Sequence, residues 1–392
     1  MTYVSQPSSV GAVMLKVLFA LGLAIAAYFV YFGPAILVSL ALASATALGC
    51  EALMLRIRRY PIRPYLLDGS ALVTAWLLAL SMPPLSPWWL IVGATAFAIV
   101  VAKHLYGGLG SNLFNPAMAG YALMLISFPA QMTQWPAVEM LAHAHLGFGD
   151  TLRYIFGGVL PAGTPLDAVT MATPLDLMKT DLKLGHTVNE ITHSPIYGYI
   201  GGRGSEIVAL CYLAGGLLLL QQRVITWHLP VAFLGALFAS ALWFHVYDGD
   251  RYPAPWFHLM TGGAMLGAFF IVTDPVTGAT TPKGKLIFGA MIGGHRRLSN
   301  VADKSRIRPD IDMPADSLPP VMEPRSRTPV LPDITTRSSM SRRASSMAAV
   351  PAKSMRSTAM GDVMVPCASM ATLRALSATL MADNLPAPSR TG

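Results

Sequence analysis

The chain has 392 residues, 53% of them hydrophobic and 12% charged, with a mean hydropathy of +0.51. Ordinary soluble chains are about a quarter charged, so a water-soluble globule is excluded, and so is disorder over most of the length. The formal net charge of +8 is unevenly placed: residues 295–392 hold 14 Lys+Arg against 8 Asp+Glu, and therefore +6 of it. The remaining body is nearly neutral, and nothing in it points to nucleic acid as a partner.

Apolar runs at bilayer length mark the spans. They predict helices near 14–32, 35–55, 69–83, 87–106 and 114–129, then 206–222, 228–246 and 255–272. A ninth starts at Leu286 and stops at Gly294. The first run continues past signal-peptide length, so it reads as a retained helix. Gly33-Pro34, Pro83-Pro84 and Pro129 punctuate the turns. Backbone polar groups in lipid must be satisfied within the span, which leaves helices as the reading. The fold class is thus an all-α polytopic membrane protein with eight complete transmembrane helices and a truncated ninth.

Charges in short loops set the direction. Arg56, Arg58, Arg59 and Arg63 follow the second helix, and the positive-inside rule puts that loop in the cytoplasm. Alternation then places Lys103, Arg223, Lys283 and Lys285 on the same side. Residues 130–205 fall outside, on the periplasmic side of a bacterial inner membrane. Four segments follow: helices one to five in 1–129, an outer loop in 130–205, helices six to eight and the start of nine in 206–294, and a disordered tail in 295–392.

The chemistry is sparse. Cys50, Cys211 and Cys367 stand alone with no CxxC, which argues against thiolate-held clusters and structural zinc. No metal ligand set and no catalytic residue is expected. Gly278–Lys285 has a phosphate-loop look with its first glycine one residue out of place. His143 and His145 read as a solvated loop pair. Gly107, Gly108, Gly110, Asn115 and Pro116 suit either a cofactor or ion path or close helix packing. Asp68 suits a helix cap or an ion-path carboxylate, the cap being favoured. Glu51 and Lys103 lie near predicted interfaces, where snorkelling accounts for them.

The outer loop carries Asp167-Ala-Val-Thr170-Met-Ala172-Thr173-Pro-Leu-Asp176. A threonine hydroxyl is one of the few side-chain groups that can be esterified to a phosphate. With it stand Tyr106-Gly-Gly-Leu-Gly-Ser-Asn-Leu-Phe-Asn-Pro-Ala-Met-Ala-Gly-Tyr121, Pro83-Pro-Leu-Ser-Pro-Trp-Trp89 and Thr273-Asp-Pro-Val-Thr277 with Thr281-Pro-Lys-Gly284. In this order and spacing, over roughly residues 12–294, the chain resembles the D subunits of Rnf ion-translocating oxidoreductase complexes. The B subunits of the sodium-translocating NADH:quinone reductase are the nearest cousins and the alternative reading. A second alternative, from another class, is a non-redox inverted-repeat channel or transporter.

The resemblance implies ten helices in two inverted five-helix repeats and FMN joined through its phosphate to Thr173. Asp167, Thr170 and Ala172 complete the attachment motif, with Asp167 the acid that a flavin transferase requires. A second, noncovalent flavin, riboflavin, is plausible inside the fold. The family passes electrons between ferredoxin and NAD while ions cross the membrane. This chain would then be one member of a complex, beside the A, B, C, E and G subunits and the lipid bilayer. Asp274-Pro-Val-Thr-Gly-Ala-Thr280 repeats the motif, with Asp again six residues ahead of Thr. Pattern alone does not choose between the two threonines; topology chooses Thr173, because the family's flavin lies outside the cytoplasm. The resemblance stops at Gly294. The tail has no aromatic residue, 14 Ser and 11 Pro, a text expected from a shifted reading frame in a GC-rich gene or from a genuine disordered extension.

Overall fold

A computed structural model describes residues 9–305, with side-chain surroundings through residue 294. Helices dominate: α1 (Val10–Phe32), α2 (Ala35–Ile57), α3 (Ile62–Leu66), α4 (Ser70–Ser81), α5 (Trp88–Phe97), α6 (Pro116–Ser127) and α7 (Pro129–Met132) form the first part. The outer loop holds α8 (Phe148–Gly157), α9 (Pro174–Lys183) and α10 (Val188–Thr192). Then come α11 (Ser205–Gln221), α12 (His228–Tyr247), α13 (Pro255–Met260), α14 (Ala264–Leu266) and α15 (Pro282–Ser305). Among the described residues there is no strand, only two isolated β-bridges.

Four stretches are long and apolar enough to cross a membrane: Val10–Phe32, Ala35–Ile57, Ile62–Ser81 and His228–Tyr247. Trp88–His104, Pro116–Ser127 and Ser205–Gln221 are apolar but shorter. At about 1.5 Å per residue, the 12 residues of α6 fall short of a hydrocarbon core of about 30 Å. Small residues bring the helices of the bundle close together. The backbone of α5 at Ala94 leaves no room for a Cβ on Gly120 of α6, and the backbone of α1 at Ala20 leaves none on Gly215 of α11.

The expected helix 255–272 is not continuous, and the apolar stretch Ile62–Ser81 is interrupted as well. Leu67–Gly69 separates α3 from α4, and Thr261–Gly263 separates α13 from α14. Gly69 (φ 77°) and Gly262 (φ 72°) sit in the left-handed region at the two breaks, where a Cβ is strained and glycine is the economical choice. The flanking sequences match as well. Residues 66–76 (LLDGSALVTAW) align without a gap to 259–269 (LMTGGAMLGAF), sharing Leu66/Leu259, Gly69/Gly262, Ala71/Ala264 and Ala75/Ala268. Asp68 thereby corresponds to Thr261, and Ser70 to Gly263. The chain alternates direction between them, so the first break lies toward the Arg56–Arg63 end of the bundle and the second toward the outer loop.

Two expectations are corrected. The ninth helix does not stop at Gly294; its backbone continues to Ser305. No Gly or Pro lies in 295–305, and once started, each further turn costs little. Residues 295–305 are therefore not part of a disordered tail, and that reading for 306–392 lies outside the described residues. Glu51 and Lys103 do not snorkel: both are 2% exposed.

Candidate functional site

The outer loop is stitched to the bundle before it presents anything. Glu139 N–H donates to Tyr31 O (2.8 Å), Ala137 N–H to Val169 O (3.0 Å) and Met171 N–H to Trp135 O (3.0 Å). A small core of Met178, Ile191, Ile196, Tyr197 and Phe257, with Met171 and Leu175 against it, ties α9 and α10 to α13. Tyr197 Oη donates to Pro174 O at 3.2 Å. Burial, and secondarily the charge of Asp181, hold this phenol above its ordinary pKa, so it stays a donor.

Thr173 is the N-cap of α9, with Pro174 at the first helical position. Its half-exposed hydroxyl donates to Asp176 Oδ2 at 2.6 Å and accepts from Asp176 N–H at 3.2 Å. Thr170 turns inward to donate to Leu166 O (3.0 Å). Asp167 and Ala172 are exposed, and among the described residues no hydrogen bond joins Asp167 to Thr173. The motif is thus one accessible hydroxyl, followed by a ten-residue helix, with an exposed carboxylate upstream in a short 3₁₀ turn.

This geometry fits a phosphate ester. The N-terminus of α9 favours an anion, and the esterified oxygen keeps the Asp176 N–H as donor. The Asp176 carboxylate is the unfavourable neighbour. It is exposed, and esterification removes the hydroxyl proton that it accepts.

The second copy of the pattern is built differently. Asp274 Oδ2 accepts from Thr277 Oγ1 (2.9 Å) and Oδ1 from Val276 N–H (3.2 Å), closing a turn. Burial raises its carboxyl above the ordinary range. Lys285 Nζ donates to Thr226 Oγ1 (3.1 Å), so this turn shares an end of the bundle with the α11–α12 connection. Thr280 and Thr173 lie at opposite ends.

A polar cluster unforeseen in the sequence lies at the inner end. Lys103 Nζ donates to both Glu51 oxygens and to Ser70 Oγ, each at 2.9 Å. Ser70 donates through both N–H and Oγ to Asp68 Oδ1 at 2.7 Å. Asp68 therefore caps α4, as expected. His104 Nε2 lies 3.1 Å from Glu51 Oε2 without hydrogen-bond alignment, and its Nδ1 lies 3.4 Å from the Arg58 guanidinium. A π-helical turn over Ala98–His104 extends α5 and brings the consecutive residues Lys103 and His104 to one carboxylate. The 52-residue separation of Glu51 and Lys103 gave no local signal. Asn115 caps α6 through Ala117 N–H (3.0 Å), and Pro116 opens it. His145 pairs with Glu139 at 3.1 Å in solvent.

Known proteins share this sequence over most of its length. The model of the NQR2, RnfD, RnfE family matches residues 1–298, four residues past the point where the sequence motifs end. A protein of Aeromonas hydrophila subsp. hydrophila, named as the D subunit of an ion-translocating oxidoreductase complex, is 52% identical over 271 residues, 67% of this chain and 77% of that one. A protein of the same name from Aliivibrio salmonicida is 53% identical over 271 residues, with the same coverage. One from Escherichia coli O127:H6 is 47% identical over 299 residues, covering 74% of this chain and 85% of its own.

Proposed function

The chain belongs to the NQR2, RnfD, RnfE family, and from that premise we propose that it is the membrane subunit of an ion-translocating oxidoreductase complex, carrying FMN esterified to Thr173. The observation that carries the cofactor assignment is the contrast between two identical spacings. Thr173 is a half-exposed hydroxyl on a helix N-terminus with an exposed acid upstream, whereas Asp274, the acid of the Thr280 copy, is consumed in its own turn. A bound flavin exchanges electrons singly or in pairs and so joins one- and two-electron carriers.

The protein's own groups do the rest. Asp167 is open to a flavin transferase. The Asp176 N–H and the α9 N-terminus hold the ester's negative charge. Tyr197, Met171 and Leu175 fix the loop against α13. The bundle anchors all of this in the bacterial inner membrane with the loop on the periplasmic face and offers its flanks to the other Rnf subunits. Riboflavin, as a second flavin, belongs to the same reading. So does the tail after residue 294 as a shifted frame: resequencing that finds the frame intact, with no alternative frame encoding a tenth helix, overturns it.

Ultraviolet illumination of the denatured full chain on a gel tests the cofactor directly. The wild type and Thr280→Ala bands fluoresce and the Thr173→Ala band is dark. A fluorescent Thr173→Ala band overturns the assignment, and a dark wild type co-expressed with a flavin transferase favours the channel reading.

A further inference from the structure

Charge placed inside an apolar bundle calls for both a partner and a task. Glu51 lies about 9 Å inside the Ile57 end of α2, at about 1.5 Å per residue. Lys103 is its partner: the ammonium group spends its donors on both Glu51 oxygens and on Ser70 Oγ. Ser70 passes its own hydroxyl hydrogen to the half-exposed Asp68. The broken span does not need these charges to form. The second break has Thr261 and Gly263 in the places of Asp68 and Ser70, the same left-handed glycine, and no ionisable residue in 259–269.

His104 is the member left over. It is 4% exposed. Its Nε2 lies 3.1 Å from Glu51 Oε2 and has no hydrogen bond among the described residues. Its Nδ1 faces Arg58 Nη1 at 3.4 Å. A guanidinium only donates, so Nδ1 is the acceptor, and the hydrogen of the neutral ring sits on Nε2, beside the carboxylate. Arg58 is half-buried, 5.0 Å from the centre of the Tyr60 ring, on the connection that the charge pattern assigns to the cytoplasm. Gly107 and Gly108 (φ 124° and 103°) turn the chain over this point. Their N–H groups donate to His104 O and Lys103 O, and a Cβ on Gly108 would lie 3.4 Å from Arg58 Nη1. The imidazole thus bridges a surface arginine and a buried carboxylate.

We infer that Glu51 is a proton station at the inner end of the ion path, loaded and emptied through the His104 imidazole. The inference rests on the proposed role in ion translocation. When Arg58 moves off Nδ1, that nitrogen takes a proton from the cytoplasmic side and Nε2 releases its own to Glu51 Oε2. The ring is neutral before and after, and the reverse transfers empty the station. Loading the carboxylate weakens its hold on Lys103, whose charge Asp68 then offsets through Ser70. The π-helical turn has a purpose here, because it sets the relay and the counter-ion on one carboxylate.

The test uses the purified complex containing the full chain, in phospholipid vesicles with a trapped pH dye, driven by reduced methyl viologen and NAD. Radioactive sodium reads the other monovalent ion in a parallel sample. His104→Gln keeps a donor beside Glu51 but has no second nitrogen to load, and proton movement per electron falls about a hundredfold. His104→Ala falls likewise and recovers with added imidazole. If neither variant accumulates, infrared difference spectra of the wild type on acidification decide, by the presence or absence of a protonated-carboxyl band that Glu51→Asp shifts. Proton movement unaltered in His104→Gln overturns the relay, and so does a wild type that moves sodium but no protons; both leave the translocase reading standing. A wild type that moves neither ion overturns both.

Discussion

The two ends of the bundle use the same residue types for opposite purposes. At the inner end Glu51, Lys103, Ser70 and Asp68 close on one another, and Asp274 closes its own turn. At the outer end Asp167 stands in solvent, Thr173 is half exposed, and Thr261 keeps an unmet hydroxyl. Polar groups in an apolar bundle are stabilising only when mutually satisfied. Buried unmet atoms occur at both ends, His104 Nε2 and His228 Nδ1 at the inner one and Thr261 Oγ1 at the outer, so what separates the ends is the exposure of Asp167 and Thr173.

That contrast can be broken experimentally, and the largest effect belongs to the outer end. Thr173→Ala removes covalent flavin entirely while leaving the amount of membrane-inserted protein unchanged; equal loss from Thr280→Ala would erase the distinction between the ends. Next is the inner ion pair. Lys103→Met leaves the buried Glu51 carboxylate with only His104 beside it at 3.1 Å, and removing one partner of a buried pair costs about 3–5 kcal/mol. Thermal unfolding in detergent should show a large drop for the single variant and a smaller one for Glu51→Gln with Lys103→Met, because the double variant leaves no uncompensated charge. A single variant as stable as the wild type would show that the inner end is not closed.

Smaller changes sharpen the same picture. Glu206→Gln keeps the shape but weakens two charge-assisted bonds to the Ile200–Gly201 backbone, a cost of about 1 kcal/mol. Limited proteolysis near residue 200 should quicken while attachment of flavin persists. The smallest effect is Asp274→Asn. Because burial raises the folded pKa of Asp274 above its unfolded value, its contribution to stability is fully present below the unfolded value and is lost as pH rises through the folded one. The Asn variant should flatten the stability–pH curve in that acidic window, and an unaltered curve would remove Asp274 from the inner joint.

Much of the fold was legible because lipid permits few alternatives. The predicted helices have helical counterparts except across Thr261–Gly263, where 255–272 is broken, and α2 and α12 keep their bounds within two residues. The break at Thr261–Gly263 was missed because Thr and Gly barely interrupt an apolar run; the Gly262-Gly263 pair and the match to residues 66–76 were the available signals. Snorkelling was assigned to Glu51 and Lys103 because each alone, near a helix end, has that as its cheapest solution. Only the arrival of one beside the other makes burial tolerable. Similarly, the apolar count ended the ninth helix at Gly294, although backbone hydrogen bonding continues through polar residues that contain no breaker.

The sequence by itself determined the membrane class and the family motifs, and its charge asymmetry supplied the reason to prefer Thr173 over Thr280. Those properties reside in composition and local order. Tertiary structure alone decided which polar groups are paired. Lys103 meets Glu51 across 52 residues through a π-helical turn, and Thr261 faces Gly201 of a distant loop with its hydroxyl unmet. The reason is physical: a side chain's partner depends on where remote backbone approaches, and no spacing along the chain encodes that distance.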